Sequence, residues 1–545
     1  MRRASLFALF TVLLALGDAR AVTFRELFGE LRSESPATRF DALLTLELEE
    51  HPKTAMALDQ ARAQGFFAGS AVGEAAAEFL ARKLTGAPLV SAESVQSDAL
   101  GVLLISIDTL RADHLGAYGY ARETSPAIDG LVRRGAVFEQ AFSPSSWTLP
   151  AHMSIFTSLY PSFHKLEKGG RLGSVRLDES EPTLAELLRG AGFATAGLVA
   201  HPFLSGEWGF ERGFDLYRRY STDAQLQARR AQLWLEWQRF QVDRGLASAR
   251  FFLFLHFIDP HEPYEAPSPY REMFYPDYEG AHRPSDKFVT LYSQRDFDRP
   301  EDLRYAIALY DGEIRFVDDA IGEILTTLAT LGWQDSTLVI VTSDHGEEFK
   351  DHGGMGHKNT LYREELHVPL ILSAPQRIAP GQRRAEPASL LDLMPTLLEL
   401  VGVPLPERAQ GVSLWSYLRP IAPTSEERAS VPARTHLYAE LGPLESAWER
   451  EYVRRAIQGS RYKLIRNLLP GGIVRRELYR ITDDPAERHD RYASEASSPA
   501  VQDLERRLES FAVRGLAYRP GASERNALEI PPEIREKLRA LGYLD

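Results

Sequence analysis

The fold is indicated most directly by the stretch Val102-Leu-Leu-Ile-Ser-Ile-Asp108, a short apolar run that ends in a carboxylate. Similar runs recur at Ala194–Val199, Phe251–Phe257, Leu338–Thr342 and Val368–Leu372. Between them lie longer segments with apolar residues at helical spacing, near residues 126–134, 150–158, 182–191, 303–331 and 389–401. Strands that alternate with helices are typical of an α/β sandwich around a mostly parallel sheet. We predict this fold for residues 99–430.

The regions on either side of this core have different patterns. Residues 22–98 are rich in Ala and Glu, with apolar residues three or four apart, and we predict a helical N-terminal region there. Residues 431–545 begin with short runs that favour a small antiparallel sheet, at His436–Leu441, Val453–Ile457, Tyr462–Arg466 and Glu477–Tyr479. A charged helix at Val501–Phe511 and a helical tail are expected to follow.

The first 21 residues have the pattern of a secretory signal peptide. Arg2 and Arg3 precede an apolar run at Leu6–Leu16, and Ala19-Arg-Ala21 fits a cleavage site. An uncleaved anchor is the alternative, but the run is shorter than the roughly 20 residues that span a bilayer. We expect an exported protein, periplasmic or secreted, with no integral membrane span after signal removal.

Composition limits the partners and the source of stability. The formal net charge is −13, so the chain as a whole has no electrostatic attraction to nucleic acid, and we predict no nucleic-acid partner. Cysteine is absent, so disulfides cannot contribute to stability. With 545 residues and 44% hydrophobic composition, a buried core is sufficient to hold the fold.

Polar residues at strand ends predict a metal site. Asp108 follows the first strand, and Asp344 and His345 follow the strand at 338–342. Ligands of open α/β sheets bind at the carboxyl ends of strands. Together with Thr148, these side chains would make a four-ligand site for a divalent metal ion, either calcium, manganese or zinc. An aspartate in this position is also a common helix cap, and that alternative stays open.

The segment Ser146-Trp-Thr148-Leu-Pro150-Ala-His152 contains a candidate nucleophile. Pro150 suits the first turn of a helix, which puts Thr148 at or just before the helix N-terminus. Free N–H groups there favour an anion, and a nearby metal would activate the threonine hydroxyl. The alternative is that Thr148 is simply an N-cap.

The order of these segments resembles the sulfatase family of the alkaline phosphatase superfamily over residues 100–490. The resemblance also rests on Asp259-Pro-His261, Gly209-Phe-Glu-Arg-Gly-Phe-Asp215, Tyr310-Asp-Gly-Glu-Ile314, His367-Val-Pro-Leu-Ile371 and Tyr462-Lys-Leu-Ile465. It implies an alkaline-phosphatase-like sandwich with a small C-terminal antiparallel sheet. It also implies metal-dependent hydrolysis of small-molecule or glycan sulfate or phosphate esters.

The resemblance also implies roles for single residues. Asp108, Asp344 and His345 match family metal ligands, and Thr148 matches the nucleophile. His261 and Lys358 match residues that contact the oxyanion or the leaving group. We also predict that His152 is catalytic. Three further residues are predicted to bind substrate, namely His201, His357 and Arg111.

Departures from the family pattern change the expected chemistry. Sulfatases have Cys or Ser at the Thr148 position, Arg at the His152 position, and a second Asp at the Thr109 position. Oxidation of threonine would give a ketone and not the aldehyde that sulfatases use. The segment from Thr148 to His164 is similar to nucleotide pyrophosphatase/phosphodiesterases, which use a threonine nucleophile and two zinc ions. Their Asp-x-x-x-His element is not apparent here, so we expect one metal site and leave a second site open.

We therefore expect a covalent threonine intermediate. A threonine ester cannot expel sulfate by collapsing to an aldehyde, which favours phosphate or phosphonate esters over sulfate. Two alternatives are a transferase that passes a phospho-group to an envelope acceptor and a non-catalytic pseudoenzyme that binds an anionic glycan.

Overall fold

The structure is a computed structural model that describes residues 11–12, 22–48, 52–89, 100–166, 176–220, 222–280, 299–419, 434–442, 453–519 and 536. The expected signal peptide lies outside the described residues except for 11–12, and the end of the expected helical tail lies outside them except for residue 536. Within the described ranges, no helix has the length and apolar character needed to cross a membrane. The chain divides into two compact units.

The first unit consists of residues 1–98, 229–249 and 326–334. Its N-terminal helices are Phe24–Leu31, Pro36–Leu48, Pro52–Ala63 and Ala71–Thr85, which confirms the predicted helical segment. Most of the helix Ala224–Val242, which the sequence analysis did not predict, also belongs to it. The ring of Phe79 packs edge-on against Trp237 and Phe240 at 5.3 Å, and Lys83 pairs with Glu236 at 2.8 Å.

The second unit, residues 99–228, 250–325 and 335–545, contains an eight-stranded sheet. Its strands are, in spatial order, Gln382–Arg384, Ala136–Phe138, Leu370–Ser373, Thr337–Thr342, Gly101–Ile107, Phe251–Phe257, Ala194–Val199 and Leu216–Arg219. Neighbours pair in parallel except around Leu370–Ser373, which is antiparallel to both of its neighbours. The predicted mostly parallel sheet is confirmed.

Burial explains why the central strands are apolar at nearly every position. Every residue of Gly101–Ile107, Phe251–Phe257 and Thr337–Thr342 is buried, as expected for parallel strands covered on both faces. Helices of this unit lie at Pro126–Arg133, Thr148–Thr157, Pro161–His164, Leu184–Gly190, Tyr270–Met273, Arg363–Leu366, Leu393–Val401, Trp415–Leu418, Tyr492–Glu495 and Pro499–Ala517, together with most of Pro300–Thr330. The five strands predicted for the large sheet are found within two residues of their expected ends. The short strands Ala136–Phe138, Leu216–Arg219 and Gln382–Arg384 were not predicted.

The predicted small antiparallel sheet is also present. Its strands, Leu437–Leu441, Val453–Gln458, Lys463–Leu469 and Ile473–Tyr479, pair in chain order. Apolar side chains of one face, including Ile457, Leu464 and Leu478, share a buried cluster with Leu504 and Leu508 of the helix Pro499–Ala517. The boundary proposed at residue 430 stays a prediction, since this sheet and the large one lie in the same compact unit.

The topology brings four strand ends to one edge of the large sheet. Gly101–Ile107 lies between Thr337–Thr342 and Phe251–Phe257, and Ser106 is in register with both Thr342 and His256. Ala194–Val199 follows as the next parallel strand. The residues that end or follow these strands are therefore neighbours in space.

Candidate metal and catalytic site

Asp108, Asp344 and His345 form a cluster with the spacing of metal ligands. One ligand atom from each lies within 4.8 Å of the others, and all three residues are fully buried. The Nδ1–H of His345 donates to the Gly346 carbonyl at 3.0 Å. This leaves Nε2 facing the carboxylates, 3.6 Å from Asp108 Oδ1 and 3.3 Å from Asp344 Oδ2. Two carboxylates and one imidazole are a suitable donor set for a divalent metal.

The electrostatics of this cluster also fit a cation. Burial, and then the charges of Asp344 and Glu347, raise the pKa of Asp108 well above its usual value. Burial also raises the pKa of Asp344 and lowers that of His345 to about 3. Buried carboxylates beside a neutral imidazole are costly without a counter-charge, which a divalent ion would supply. Among the described residues, no second group of three carboxylate or histidine side chains has this spacing.

Polar atoms without hydrogen-bond partners are concentrated around the cluster. Within the described part of the chain, both carboxylate oxygens of Asp108 and both ring nitrogens of His256 lack a hydrogen bond, and so do Asp344 Oδ2, Thr109 Oγ1 and Ser146 Oγ. Buried polar groups in folded proteins are nearly always satisfied, so such a concentration indicates a ligand-binding site. It is the main physical argument for a site here.

Thr148 is the first residue of the helix Thr148–Thr157, with Pro150 in its first turn as predicted. The N-cap residue is Trp147, and no side chain caps this helix by a hydrogen bond. The alternative interpretation of Thr148 as an N-cap is therefore wrong. Its Oγ1 lies 3.4 Å from His345 Nε2, so the hydroxyl borders the metal cluster as the sequence analysis expected.

His152 holds Thr148 through the backbone. Its Nδ1–H donates to the Thr148 carbonyl at 3.0 Å, and its Nε2 accepts from the Ser106 hydroxyl at 2.9 Å. Nδ1 also lies 3.4 Å from Asp344 Oδ2. Both ring nitrogens are engaged and the residue is fully buried, so His152 fixes the backbone of Thr148, and its catalytic role stays a prediction.

His201, His261 and His357 are brought together beside the metal cluster. Their rings form a series with centroid distances of 5.6 Å between His201 and His261, 4.9 Å between His261 and His357, and 4.5 Å between His357 and His345. His357 Nδ1 faces Glu347 Oε1 at 3.0 Å. The three rings therefore form one side of the site, and their contact with substrate stays a prediction.

The backbone assigns opposite hydrogen-bonding roles to His201 and His261. Burial lowers the pKa of His201 well below its usual value and that of His261 to about 3, so both rings are neutral. The Phe203 N–H donates to His201 Nδ1 at 3.1 Å, so the His201 proton is on Nε2. His261 Nδ1–H donates to the Glu262 carbonyl at 2.6 Å, which makes His261 Nε2 an acceptor.

Lys358 is partly exposed and is tied to the nucleophile segment by its backbone. Its N–H donates to the Ser146 carbonyl at 3.0 Å, and its φ of 62° lies in the left-handed region. A non-glycine residue in this region costs roughly 1 kcal/mol and is often found at functional sites. Burial raises the pKa of Glu262 to about 7, and the Lys358 charge opposes that rise, so the ammonium is close to this side of the site.

The guanidinium of Arg111 is engaged by groups of the chain itself. Its guanidinium pairs with Asp113 and Asp351, each at 2.8 Å, and donates to the Glu347 carbonyl at 3.0 Å. These partners occupy the donors that a substrate anion would need, and contact of Arg111 with substrate stays a prediction. It holds the segment that follows His345 in place.

Two residues near the cluster were missed. His256 lies in the strand Phe251–Phe257 with Nε2 3.5 Å from Asp108 Oδ2. The Tyr310 hydroxyl accepts from the Arg111 N–H at 2.9 Å and donates to the Thr109 carbonyl at 2.8 Å, which fixes the chain after Asp108. A single histidine in an otherwise apolar strand was the available signal for His256.

Comparison with protein families gives two matches. The model described as Sulfatase matches residues 101–403, and the model described as N-sulphoglucosamine sulphohydrolase, C-terminal, matches residues 351–514. Arylsulfatase K of Xenopus laevis is 28% identical over 338 residues, which are 54% of this chain and 61% of that protein. The multifunctional alkaline phosphatase superfamily protein PehA of Trinickia caryophylli is 27% identical over 399 residues, 58% of this chain and 76% of that protein. The chain thus spans less than two thirds of the length of arylsulfatase K.

Solved structures agree with the predicted fold. The phosphonate monoester hydrolase of Agrobacterium radiobacter has a TM-score of 0.63 at 23% identity, over 76% of this chain and 96% of that one. A protein solved in complex with its substrate, D-glucosamine-2-N,6-O-disulfate, has a TM-score of 0.61 at 19% identity, over 78% and 100%. The sulfatase model covers more than half of the 545 residues, and the chain belongs to the sulfatase family.

Proposed function

We propose that the protein is a metal-dependent hydrolase that cleaves sulfate, phosphate or phosphonate esters through a covalent intermediate on Thr148. The proposal rests mainly on the position of the Thr148 hydroxyl. It lies at an uncapped helix N-terminus, 3.4 Å from His345 Nε2 and beside two buried carboxylates. Membership of the sulfatase family supports ester hydrolysis. The pattern of the first 21 residues supports an exported protein, periplasmic or secreted.

Asp108, Asp344 and His345 would hold the divalent cation, which is calcium, manganese or zinc. When bound, such an ion supplies positive charge that lowers the pKa of a neighbouring hydroxyl and polarises an ester oxygen. His152 contributes by fixing the Thr148 carbonyl, so that the hydroxyl keeps its orientation.

The chain's own donors would stabilise the charge that develops on the ester. The first N–H groups of the helix Thr148–Thr157 lack a side-chain cap, and they and the Nε2–H of His201 are the donors that would bind the oxyanion. With its hydroxyl proton released to solvent, Thr148 Oγ would attack the sulfur or phosphorus atom as the alkoxide, and the bond to the leaving oxygen would break. The Lys358 ammonium gives that oxygen its proton, because the neutral His261 carries no proton on Nε2.

Release of the covalent ester needs a base for the attacking water. The acceptor nitrogen of His261, Nε2, would take that proton, and the Lys358 ammonium, reprotonated from solvent, would give a proton to Thr148 as it leaves as the hydroxyl. A threonine ester cannot collapse to an aldehyde as the sulfatase hydrate does. This favours phosphate or phosphonate esters over sulfate esters.

Sulfated sugars are the second candidate substrate class. The delta 4,5-hexuronate-2-O-sulfatase of Bacteroides thetaiotaomicron is 24% identical over 447 residues, 74% of this chain and 86% of that protein. The structural neighbour solved with a disulfated glucosamine supports the same class.

The test compares wild-type protein with Thr148→Ala and Thr148→Ser on an aryl sulfate, an aryl phosphate, an aryl phosphodiester and an aryl phosphonate monoester. We expect Thr148→Ala to lose a factor on the order of 10³ or more in kcat, and Thr148→Ser to retain part of the activity. Mass spectrometry of the quenched reaction should find the added group on the peptide that contains residue 148. Equal activity of wild type and Thr148→Ala would remove Thr148 from the mechanism.

The same panel separates the alternatives. Transfer of the group to an added alcohol in preference to water would favour a transferase. A metal-loaded wild-type protein that turns over none of the esters but binds a sulfated glycan would favour the pseudoenzyme.

A further inference from the structure

His256 is a histidine in a strand whose other residues are Phe and Leu. The residue is fully buried, and within the described residues neither ring nitrogen has a hydrogen-bond partner. A histidine that serves only to fill a core normally has at least one nitrogen satisfied. Its environment therefore requires another explanation.

Strand register directs His256 toward the metal cluster. His256 is in register with Ser106 of the neighbouring strand. Asp108 lies two residues after Ser106, and because strand side chains alternate, it is on the same face of the sheet as Ser106 and His256. The Asp108 N–H continues this ladder by donating to the Phe257 carbonyl at 3.0 Å. His256 Nε2 consequently lies 3.5 Å from Asp108 Oδ2, and neither carboxylate oxygen of Asp108 has a hydrogen bond within the described residues.

We propose that His256 is a positioning residue that holds Asp108 by donating from Nε2–H to Oδ2. With Oδ2 held in this way, Oδ1 is the oxygen that faces His345 Nε2, at 3.6 Å. His256 is not itself a member of the group whose ligand atoms lie within 4.8 Å of one another. It acts on the metal through Asp108, as outer partners of ligating carboxylates commonly do.

The inference rests on the metal site of the proposed function, but its test is independent of the ester and of Thr148. Protein stripped by a chelator is titrated with Ca²⁺, Mn²⁺ and Zn²⁺ by calorimetry, and the ion that binds wild type most tightly is used for all variants. Loss of a partner of this kind typically weakens metal binding about 10- to 100-fold. We expect His256→Leu to bind the ion about 10- to 100-fold more weakly than wild type. We expect His256→Gln, whose amide nitrogen can reach the place of Nε2, to return to within about threefold of wild type.

Leu255→Val is the matched control, because it trims an apolar side chain on the opposite face of the same strand. It should lower the thermal midpoint of the metal-free protein without changing the metal Kd. Wild-type metal affinity in His256→Leu would overturn the proposal. So would a folded His256→Gln that binds as weakly as His256→Leu, or a wild-type protein that binds none of the three ions. Failure of Thr148 as the nucleophile would leave these metal affinities unchanged.

Discussion

Gly346→Ala tests whether the proposed metal ligand His345 depends on the backbone that follows it. A methyl group on Gly346 would lie 2.0 Å from the Glu364 carbonyl oxygen and 3.3 Å from Arg111 Cγ. Real contacts of this kind are almost never shorter than 3.0 Å, so the two backbone segments must separate by about 1 Å. The obstacle is main chain, so a side-chain rotation cannot relieve it.

That separation acts on two hydrogen bonds. The Gly346 N–H donates to the Glu365 carbonyl at 2.8 Å, and the Gly346 carbonyl accepts from His345 Nδ1 at 3.0 Å. Crowding of this type costs about 1–3 kcal/mol of unfolding free energy. A displacement of about 1 Å at a catalytic group lowers the rate roughly 10²-fold. We expect both effects, together with weaker metal binding, because the imidazole of His345 loses the acceptor that orients it.

The assay combines urea unfolding, metal titration, and kcat/KM on the best substrate of the panel. Gly190→Ala is the matched control, because no atom lies within 4 Å of the added methyl group. It should match wild type in metal affinity and activity. Wild-type metal affinity in a Gly346→Ala protein that has lost the expected stability would refute the reasoning, since the backbone would then have moved without affecting His345.

Two further predictions concern the surroundings of the site. Lys463→Met should lower the unfolding free energy by about 3–5 kcal/mol, because Glu487 stays buried but loses the ammonium group 2.8 Å away. Urea unfolding measures this change, and a loss well below about 1 kcal/mol would contradict the prediction. Burial opposes the charge of His352, but the hydrogen bond and charge of Glu364 outweigh it and raise the pKa of His352. This stabilisation should be fully present below about pH 6.5 and be lost as the pH rises through the raised value, so thermal midpoints of wild type and His352→Gln should converge at alkaline pH. A constant difference between the two across pH 5–9 would contradict the assignment.

Local patterns were enough to predict the α/β class, the two flanking regions and most strand bounds. The reason is that a buried parallel strand needs a short apolar run, whereas a helix needs apolar residues at a longer period. The metal cluster was also predictable, because Asp108, Asp344 and His345 each follow a strand and strand ends of a parallel sheet meet at one edge. Short strands such as Gln382–Arg384 were missed, because three residues are too few to show an alternation of apolar and polar positions.

Side-chain roles that depend on distant partners could not be obtained this way. Arg111 is bound by Asp113 in its own segment and by Asp351, 240 residues further along, and the local sequence does not indicate the second of these partners. His256 faces Asp108 only because their strands are neighbours in a sheet whose order does not follow the chain. Thr148 proved to be the first helical residue and not the cap, a difference of one position that depends on the backbone angles of Trp147. Sequence patterns specify which side chains are buried and where strands end, but the partner of a buried polar group depends on long-range packing.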